Sequence, residues 1–262
     1  AANGTTVDAT GSNTDSALVP EAVSEAGTDA VIDWNNVFND VIVADTDTQN
    51  PGYASRAMAM MNIAIYDAVA IAGGRSNDTF YDYDQNVRSA GNISAEVAAS
   101  QAAYTVLSSL YPDQQAILDA SLDAILADLP ATGNLAASLS VGSAIGNTVI
   151  AERADDGSDA VVSYTYSDEF GSFQADPLNP DVPVGGPGWG EVDTFSIDAA
   201  ESFAPETTPA LTSEDYADSY NEVKELGSVD STTRTADETE AGIFWAYDRE
   251  GLGTPLSLYN DV

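Results

Sequence analysis

The chain contains no histidine and no cysteine, and Lys224 is its only lysine. Histidine is the usual general base near neutral pH and the commonest metal ligand. Its absence excludes a Ser–His–Asp triad and any imidazole-based metal site within these 262 residues. Without cysteine there is no disulfide framework, so cysteine usage says nothing about compartment. Basic side chains are scarce altogether: Lys224, Arg56, Arg75, Arg88, Arg153, Arg234 and Arg249 make up all seven. Nucleic-acid binding needs Lys and Arg clustered against phosphate. No such cluster exists, so no nucleic acid partner is expected, and an anionic membrane surface repels the chain. No run approaches the ~18 apolar residues of a membrane-crossing helix, so no transmembrane segment is expected.

What the chain has in excess is acid. Its 43 Asp and Glu give a formal charge of −36. Self-repulsion on that scale opposes a compact state. Disorder, however, goes with low hydrophobicity and few aromatics, whereas 44% of this chain is apolar, with 12 Tyr, 7 Phe and 3 Trp. The chain is therefore expected to fold where salt screens the repulsion. The screening length falls from about 8 Å at physiological salt to about 3 Å at 1 M. Acid excess, lysine depletion and an apolar content rich in Ala and Val resemble a protein of a salt-loving microbe, an archaeon. A generic acidic secreted protein is the alternative.

The chain opens on Ala1-Ala2-Asn3 and stays polar to about Asp29. That pattern fits a mature N-terminus left after signal cleavage, and a cut sequence looks the same. Residues 1–29 are read as a flexible leader, and an extracellular or cell-surface location is expected. Three glycosylation sequons begin at Asn3, Asn77 and Asn92, about as many as chance supplies. They become usable sites only on export.

From residue 30 the periodicity is helical. Ile32, Trp34, Val37, Phe38, Val41 and Ile42 form one stripe, which predicts a helix over 32–44. A second helix over 53–72 is apolar almost all round, interrupted by Arg56, Asn62 and Asp67, and belongs at the centre of a bundle. Gly73-Gly74 stops it. Ser94 caps a helix over 95–110. Pro112 suits the first turn of the next, over 113–129. A fourth long helix covers 134–154, where Gly142 and Gly146, four apart, predict close helix packing. Residues 155–211 lose the period and fill with Pro, Gly and aromatic residues. A connection this long inside a compact domain is often functional, and a well-packed wrap across the helices is expected. Helices resume over 213–226 behind a capping box at Thr212–Asp215, and over 235–247 behind a second at Thr235–Glu238. Pro255 to Val262 read as the start of another. The fold class is all-α: a helical bundle with a long irregular wrap, one domain over 30–262 that is expected to be incomplete at its C-terminus.

Few motifs carry chemistry. Asp82-x-Asp84-x-Asn86 has the opening spacing of a calcium loop. Val87 stands where glycine is needed and Ile93 where Glu is needed, so it reads as a solvated acidic loop. Asp155-Asp156-Gly157-Ser158-Asp159 reads as an acidic helix-end turn, with an oxygen-ligated cation as the alternative. Gly185-Gly186-Pro187-Gly188 lacks the strand, helix and lysine of a phosphate loop and reads as a turn. Paired carboxylates for glycoside hydrolysis cannot be singled out among 43 acids. Arg56 and Asp67, eleven residues apart, fall on roughly one face of the second helix. With Asn62 they are buried polar groups that need partners. Structural satisfaction is the expected role, and buttressing a site the alternative. No catalytic, cofactor-binding or metal-binding residue is assigned.

Several segments together resemble one family. Arg56-Ala57-Met58-Ala59-Met60-Met61-Asn62-Ile63-Ala64-Ile65-Tyr66-Asp67-Ala68-Val69 is similar to the "RAxAMxxxAxYDAV" helix near the start of vanadium-dependent haloperoxidase-like proteins, of the type 2 phosphatidic acid phosphatase superfamily. The resemblance continues in Ala98 to Pro112, with Tyr104 where relatives often carry histidine. It extends through Arg153-Ala154-Asp155-Asp156-Gly157, Pro187-Gly188-Trp189-Gly190, Pro209 to Ser213, Tyr220 to Gly227, Arg234-Thr235 and Phe244-Trp245. It implies an all-α bundle whose vanadate, or substrate phosphate, is held by Lys and Arg and a Ser-Gly-His segment, with a further Arg and His. Nothing here matches that signature, and Lys224 belongs to the earlier pattern. The resemblance therefore implies the amino-terminal scaffold of such a protein, with no cofactor in this chain and vanadate in the complete one. The missing C-terminal half or self-association would supply the partner. A non-catalytic surface or assembly protein on the same scaffold is the alternative.

Overall fold

The computed structural model describes residues 29–45, 51–130, 132–175, 180, 184–204 and 208–246. The leader read over 1–29 lies outside them except for Asp29, as do Asn3 and the segment from Pro255 to Val262. Among the described residues the protein is all-α, with eight helices and no strand.

Local signals set the helix ends. Helix α1 (Ala30–Ala44) starts at Asp29, whose carboxylate accepts the Val31 amide at 2.9 Å. Trp34, Val37, Phe38, Val41 and Ile42 are buried along it, while Ile32, placed in the same stripe from sequence, is 60% exposed. Ile32 falls about 160° from Trp34 at 3.6 residues per turn, so the buried face cannot hold both.

Helix α2 (Pro51–Ala72) begins two residues before the expected Tyr53. Proline is compatible with a first helical turn, where its missing N–H has no intrahelical acceptor to satisfy. It ends in a double closure: the Arg75 amide donates to Ala70 O at 2.8 Å and the Gly74 amide to Ile71 O at 3.0 Å, with Gly74 at φ +71°. That left-handed residue is why glycine stands there. A four-residue helix α3 (Gln85–Arg88), not expected from sequence, sits in the loop that follows.

Helix α4 (Ala95–Leu110) is capped by Ser94, and a single 3₁₀ turn over Pro112–Gln114 leads into α5 (Gln115–Asp128). Helix α6 (Leu135–Glu152) is capped by Asn134. The N-termini of α4 and α6 are tied together. Ser138 Oγ accepts the Ser94 amide at 2.9 Å, and the Asn134 amide donates to Asn92 O at 2.7 Å. The two helices then run parallel in close contact. A Cβ on Gly146 would lie 2.7 Å from Thr105 Cβ, and one on Gly142 would collide with the Ala98 carbonyl. The glycine pair is a packing device, since only a hydrogen lets the backbones approach this far.

The core lies among α1, α2, α4, α5 and α6. It combines a few large side chains, Trp34, Phe38, Met60, Met61 and Leu107, with many alanines, Ala64, Ala68, Ala98, Ala102 and Ala103. Helix α2 packs on α1, α4 and α6, but it is not buried all round: Met58, Tyr66 and Val69 face solvent.

Beyond α6 the chain is irregular, as expected, with short 3₁₀ turns at Trp189–Glu191 and Ala200–Phe203. Its packing is uneven rather than tight throughout. Trp189 fits against Gly52, and Phe195 lies under Arg153, whereas Val161 and Phe170 are almost fully exposed. Helices α7 (Glu214–Gly227) and α8 (Ala236–Ala246) follow. The α7 cap is Ser213, one residue after the expected Thr212, and accepts the Tyr216 amide at 3.1 Å. The second capping box forms as expected: Thr235 Oγ1 accepts the Glu238 amide, and Glu238 accepts the Thr235 amide at 2.8 Å. No described residue of α7 is buried.

Candidate functional site

Arg56 of α2 reaches partners about 100 positions away in the sequence. Arg56 Nε donates to Asp156 Oδ2 at 2.6 Å, and Arg56 Nη2 donates to Arg153 O at 2.7 Å. Arg153 Nη2 lies 2.7 Å from the same Asp156 oxygen. The other Asp156 oxygen accepts the Ser158 amide at 3.1 Å. One carboxylate thus stands between two guanidinium groups at the end of α6, with side-chain exposures of 2%, 5% and 12% for Asp156, Arg153 and Arg56.

Arg153 holds the next stretch as well. It donates to the carbonyls of Asp193 and Thr194, and its guanidinium carbon lies 4.1 Å from the centre of the Phe195 ring. The Asp193 amide in turn donates to Asp156 O at 2.9 Å. Burial works to raise the Asp156 carboxyl. The bonds from Arg56 and Ser158, with the Arg56 charge, outweigh it and hold the group below the ordinary carboxylate range.

Asp67, about three turns further along the inner face of α2, is fully buried. It accepts from the Phe80 amide at 2.6 Å, the Tyr81 amide at 3.3 Å and the Tyr83 hydroxyl at 2.6 Å. Burial raises its carboxyl above the usual value despite these bonds. Tyr83 is raised by burial and by the bond to Asp67. Tyr81 is raised by burial, with Arg153 pulling against it and Glu152 and Asp67 adding to it. Tyr111 is pushed up to about 12 by burial and Asp45 against the pull of Arg56.

Beside the Arg56–Asp156–Arg153 cluster a pocket of about 230 Å³ opens between Tyr53, Ser158, Val161, Val162, Pro187 and Trp189. Tyr53 packs edge-on to Trp189, with ring centres 4.9 Å apart, and its hydroxyl donates to Ser158 O at 2.8 Å. Aliphatic and aromatic side chains line it together with Ser158 and the Tyr53 phenol, and no carboxylate, lysine or arginine does.

The structure settles two of the sequence readings here. The Asp155–Asp159 segment is the helix-end turn expected at the close of α6, with Asp155 and Asp159 exposed, but Asp156 within it is buried and bound by two arginines. Among the described residues no group of three acids is arranged to hold a metal ion. Arg56 and Asp67 share a helix, but each has its own partners, and Asn62 pairs with Asn35 and Met58 O instead. All three are satisfied structurally.

The remaining sequence candidates lie apart from this cluster. Asp82, Asp84 and Asn86 are exposed on their loop. Asn77 is exposed, and its side chain accepts from Arg88 at 2.7 Å. Asn92 is exposed at φ +55°, but the hydroxyl of its sequon, Ser94, is buried as the α4 cap. Tyr104 faces α5, donating to Asp119 at 2.7 Å and accepting from Gln115 at 2.8 Å. That bond to Asp119 raises its phenol. Lys224 stands in the last turn of α7, far along the chain from the cluster.

The Arg56–Asp156–Arg153 cluster was missed as a unit. Arg153 and Asp156 at i, i+3 were a visible signal of an ion pair. Nothing in the sequence placed Arg56 against them. A comparison with protein-family models matches none, and a comparison with curated proteins finds no match.

Proposed function

We propose that this chain is the amino-terminal scaffold of an exported, salt-adapted protein of the vanadium-dependent haloperoxidase-like kind, and is not itself catalytic. The observation that carries the reading is convergence. Three separate segments that bear the resemblance meet at one place: Arg56 from the α2 motif, Arg153 and Asp156 from the Arg-Ala-Asp-Asp-Gly motif, and Trp189 from Pro-Gly-Trp-Gly. Their chemistry there is ion pairing, with two guanidinium groups sharing the one Asp156 carboxylate. Asp156 has no free oxygen for a proton or a metal, and Arg56 and Arg153 have a carboxylate instead of an oxyanion.

A second observation concerns the partner. The described part of α7 offers Tyr216, Tyr220 and Val223 to solvent at 37%, 59% and 72% exposure, on one stripe. Ile243 and Trp245 of α8 are also exposed. A seam of this kind fits a catalytic half that would bring the lysine, arginines and histidine this chain lacks. The other reading, a non-catalytic surface or assembly protein on the same scaffold, is favoured by an uncharged outer face on α2.

The test is intact mass of the native protein, followed by halide oxidation with vanadate and peroxide. The expected result is a native species longer than these residues that oxidises halide, and a 262-residue chain that folds in salt without activity. Oxidation by the 262-residue chain alone overturns the scaffold reading. A native species ending at Val262 overturns the enzyme reading and leaves assembly.

A further inference from the structure

The three Asn-x-Ser/Thr sequons are alike in sequence, and the fold separates the two whose residues are described. N-linked transfer needs the Asn side-chain nitrogen and the hydroxyl two residues on within reach of a transferase, with solvent around them for a bulky saccharide. Asn77-Asp78-Thr79 meets these needs. It lies just past α2, where the Asp78 amide donates to Arg75 O at 2.9 Å and closes a turn. Asn77 and Asp78 are exposed, and Thr79 is partly exposed. Arg88 Nη2 holds the Asn77 side chain at 2.7 Å. A guanidinium only donates, so the amide oxygen faces Arg88 and the nitrogen is turned away from it. That nitrogen is bonded to no described residue, and neither is the Thr79 hydroxyl. Directly after the sequon, the Phe80 and Tyr81 amides are bonded to buried Asp67. The sequon is thus pinned on both sides, clear of the core, with its reacting nitrogen unengaged.

Asn92-Ile93-Ser94 fails on the hydroxyl. Ser94 is 4% exposed. Its Oγ caps α4, accepting the Val97 amide at 3.4 Å and donating to Glu96 at 2.9 Å. Its amide donates to Ser138 Oγ of α6, and Asn92 O accepts the Asn134 amide. Reaching that hydroxyl means undoing both the cap and the tie between α4 and α6.

We propose that Asn77 is an N-glycosylation site of the folded chain, taking a saccharide from a lipid-phosphate donor, and that Asn92 takes none. In the transfer, Asn77 Nδ2 forms a bond to the anomeric carbon of the saccharide. The bond from that carbon to the donor's phosphate oxygen breaks, and the phosphate leaves with the electron pair. One Nδ2 proton passes to a base of the transferase. The proposal rests on the export part of the function proposed above, and on neither its haloperoxidase branch nor its assembly branch.

The scarcity of basic residues makes the test direct. Trypsin cuts after Arg56, Arg75, Arg88 and Arg153, so Asn3, Asn77 and Asn92 fall on separate peptides, 1–56, 76–88 and 89–153. The native protein is purified in molar salt from outside its cells and, separately, from the lysate, and the peptides are weighed. The expected result is a mass increment of whole saccharide residues on 76–88 and none on 89–153. Asn77→Gln and Thr79→Ala abolish the increment, whereas Thr79→Ser retains it, and circular dichroism checks that each variant folds. An increment at Asn92, an increment at Asn77 that survives Thr79→Ala, or a bare 76–88 peptide on chain found outside the cell overturns the proposal and leaves export standing. A chain confined to the lysate overturns the export reading and the proposal with it.

Discussion

Helices α4 and α7 are close in length, 16 and 14 residues, and each is capped by a serine whose hydroxyl accepts the amide three residues on. One lies at the centre of the molecule, and the other has no buried residue. Capping and propensity make both helical. What separates them is what their faces offer. Helix α4 presents Ala98, Ala99, Ala102 and Ala103 to glycines and alanines on α2 and α6, and the backbones close on each other. Helix α7 presents two tyrosines and a valine on a face that no described element covers, and acids on the other side.

The sharpest way to break this comparison is salt. In α7 the acids Glu214, Asp218 and Glu222 follow at i, i+4, and each like-charge pair costs about 0.2–0.5 kcal/mol. No buried contact offsets that cost. On dilution from about 2 M salt to about 0.1 M, where the screening length grows to about 10 Å, α7 and α8 are expected to lose helicity first. The bundle follows at lower salt. Residue-resolved hydrogen exchange or NMR across the dilution separates the two steps. A single coincident transition, or a spectrum unchanged at low salt, removes the distinction.

Next in size is the ion cluster. Arg153→Ala leaves Asp156 buried with one of its two cations, and Asp156→Ala leaves two arginines facing each other. Removing one partner of a buried pair costs roughly 3–5 kcal/mol. Denaturant unfolding in high salt reads this directly. Arg234→Ala in the α7–α8 connection, where the guanidinium bonds Leu226 O, Ser228 O and Thr239, leaves the bundle transition unmoved. The pH dependence has a definite sign. Asp156 is held below its ordinary value of 3.8 in the fold. Its contribution is therefore complete above 3.8 and lost as pH falls through the lower folded value. The acid limb of the stability curve should flatten in Asp156→Asn. Asp67 runs the other way: its folded value is raised, so it favours the fold below 3.8 and that gain is lost as pH rises through the folded value.

The smallest effect uses two glycines. Gly142→Ala drives a methyl into the Ala98 carbonyl and Gln101, and overpacking of this kind costs about 1–3 kcal/mol. Gly242 lies inside α8 with nothing within 4 Å of an added Cβ. There alanine is expected to stabilise the helix by roughly 0.5–1 kcal/mol without changing the bundle. Thermal unfolding of both variants in molar salt tests the pair, and equal effects would erase the contrast between core and periphery.

Much of the fold was legible because its signals are local. Ser94, Asn134 and Thr235 announce helix starts through their own hydrogen bonds, and Gly74 announces a stop through its left-handed backbone. Gly142 and Gly146 foretold close packing, though not that α4 would be the neighbour. Legibility failed wherever burial depended on a distant partner. Ile32 and Tyr66 belong to apolar runs yet face solvent. Asp156 sits in an acidic run yet is buried, because Arg56 reaches it from about 100 residues away. The four-residue α3 has too few residues for a periodic signal.

By itself the sequence determined the helices other than the short α3, their order and the acid excess, because each follows from residues a few positions apart or from a sum over all of them. It also removed imidazole and thiolate chemistry outright. Only the tertiary structure decided that Arg56, Asp156 and Arg153 form a closed charge cluster instead of a site. It alone decided that α2 keeps one uncharged face outward and that no described element covers α7. Those outcomes depend on which surfaces meet in three dimensions. The free energy of burying a charge or an apolar face is set by that neighbour, not by the residue's place in the chain.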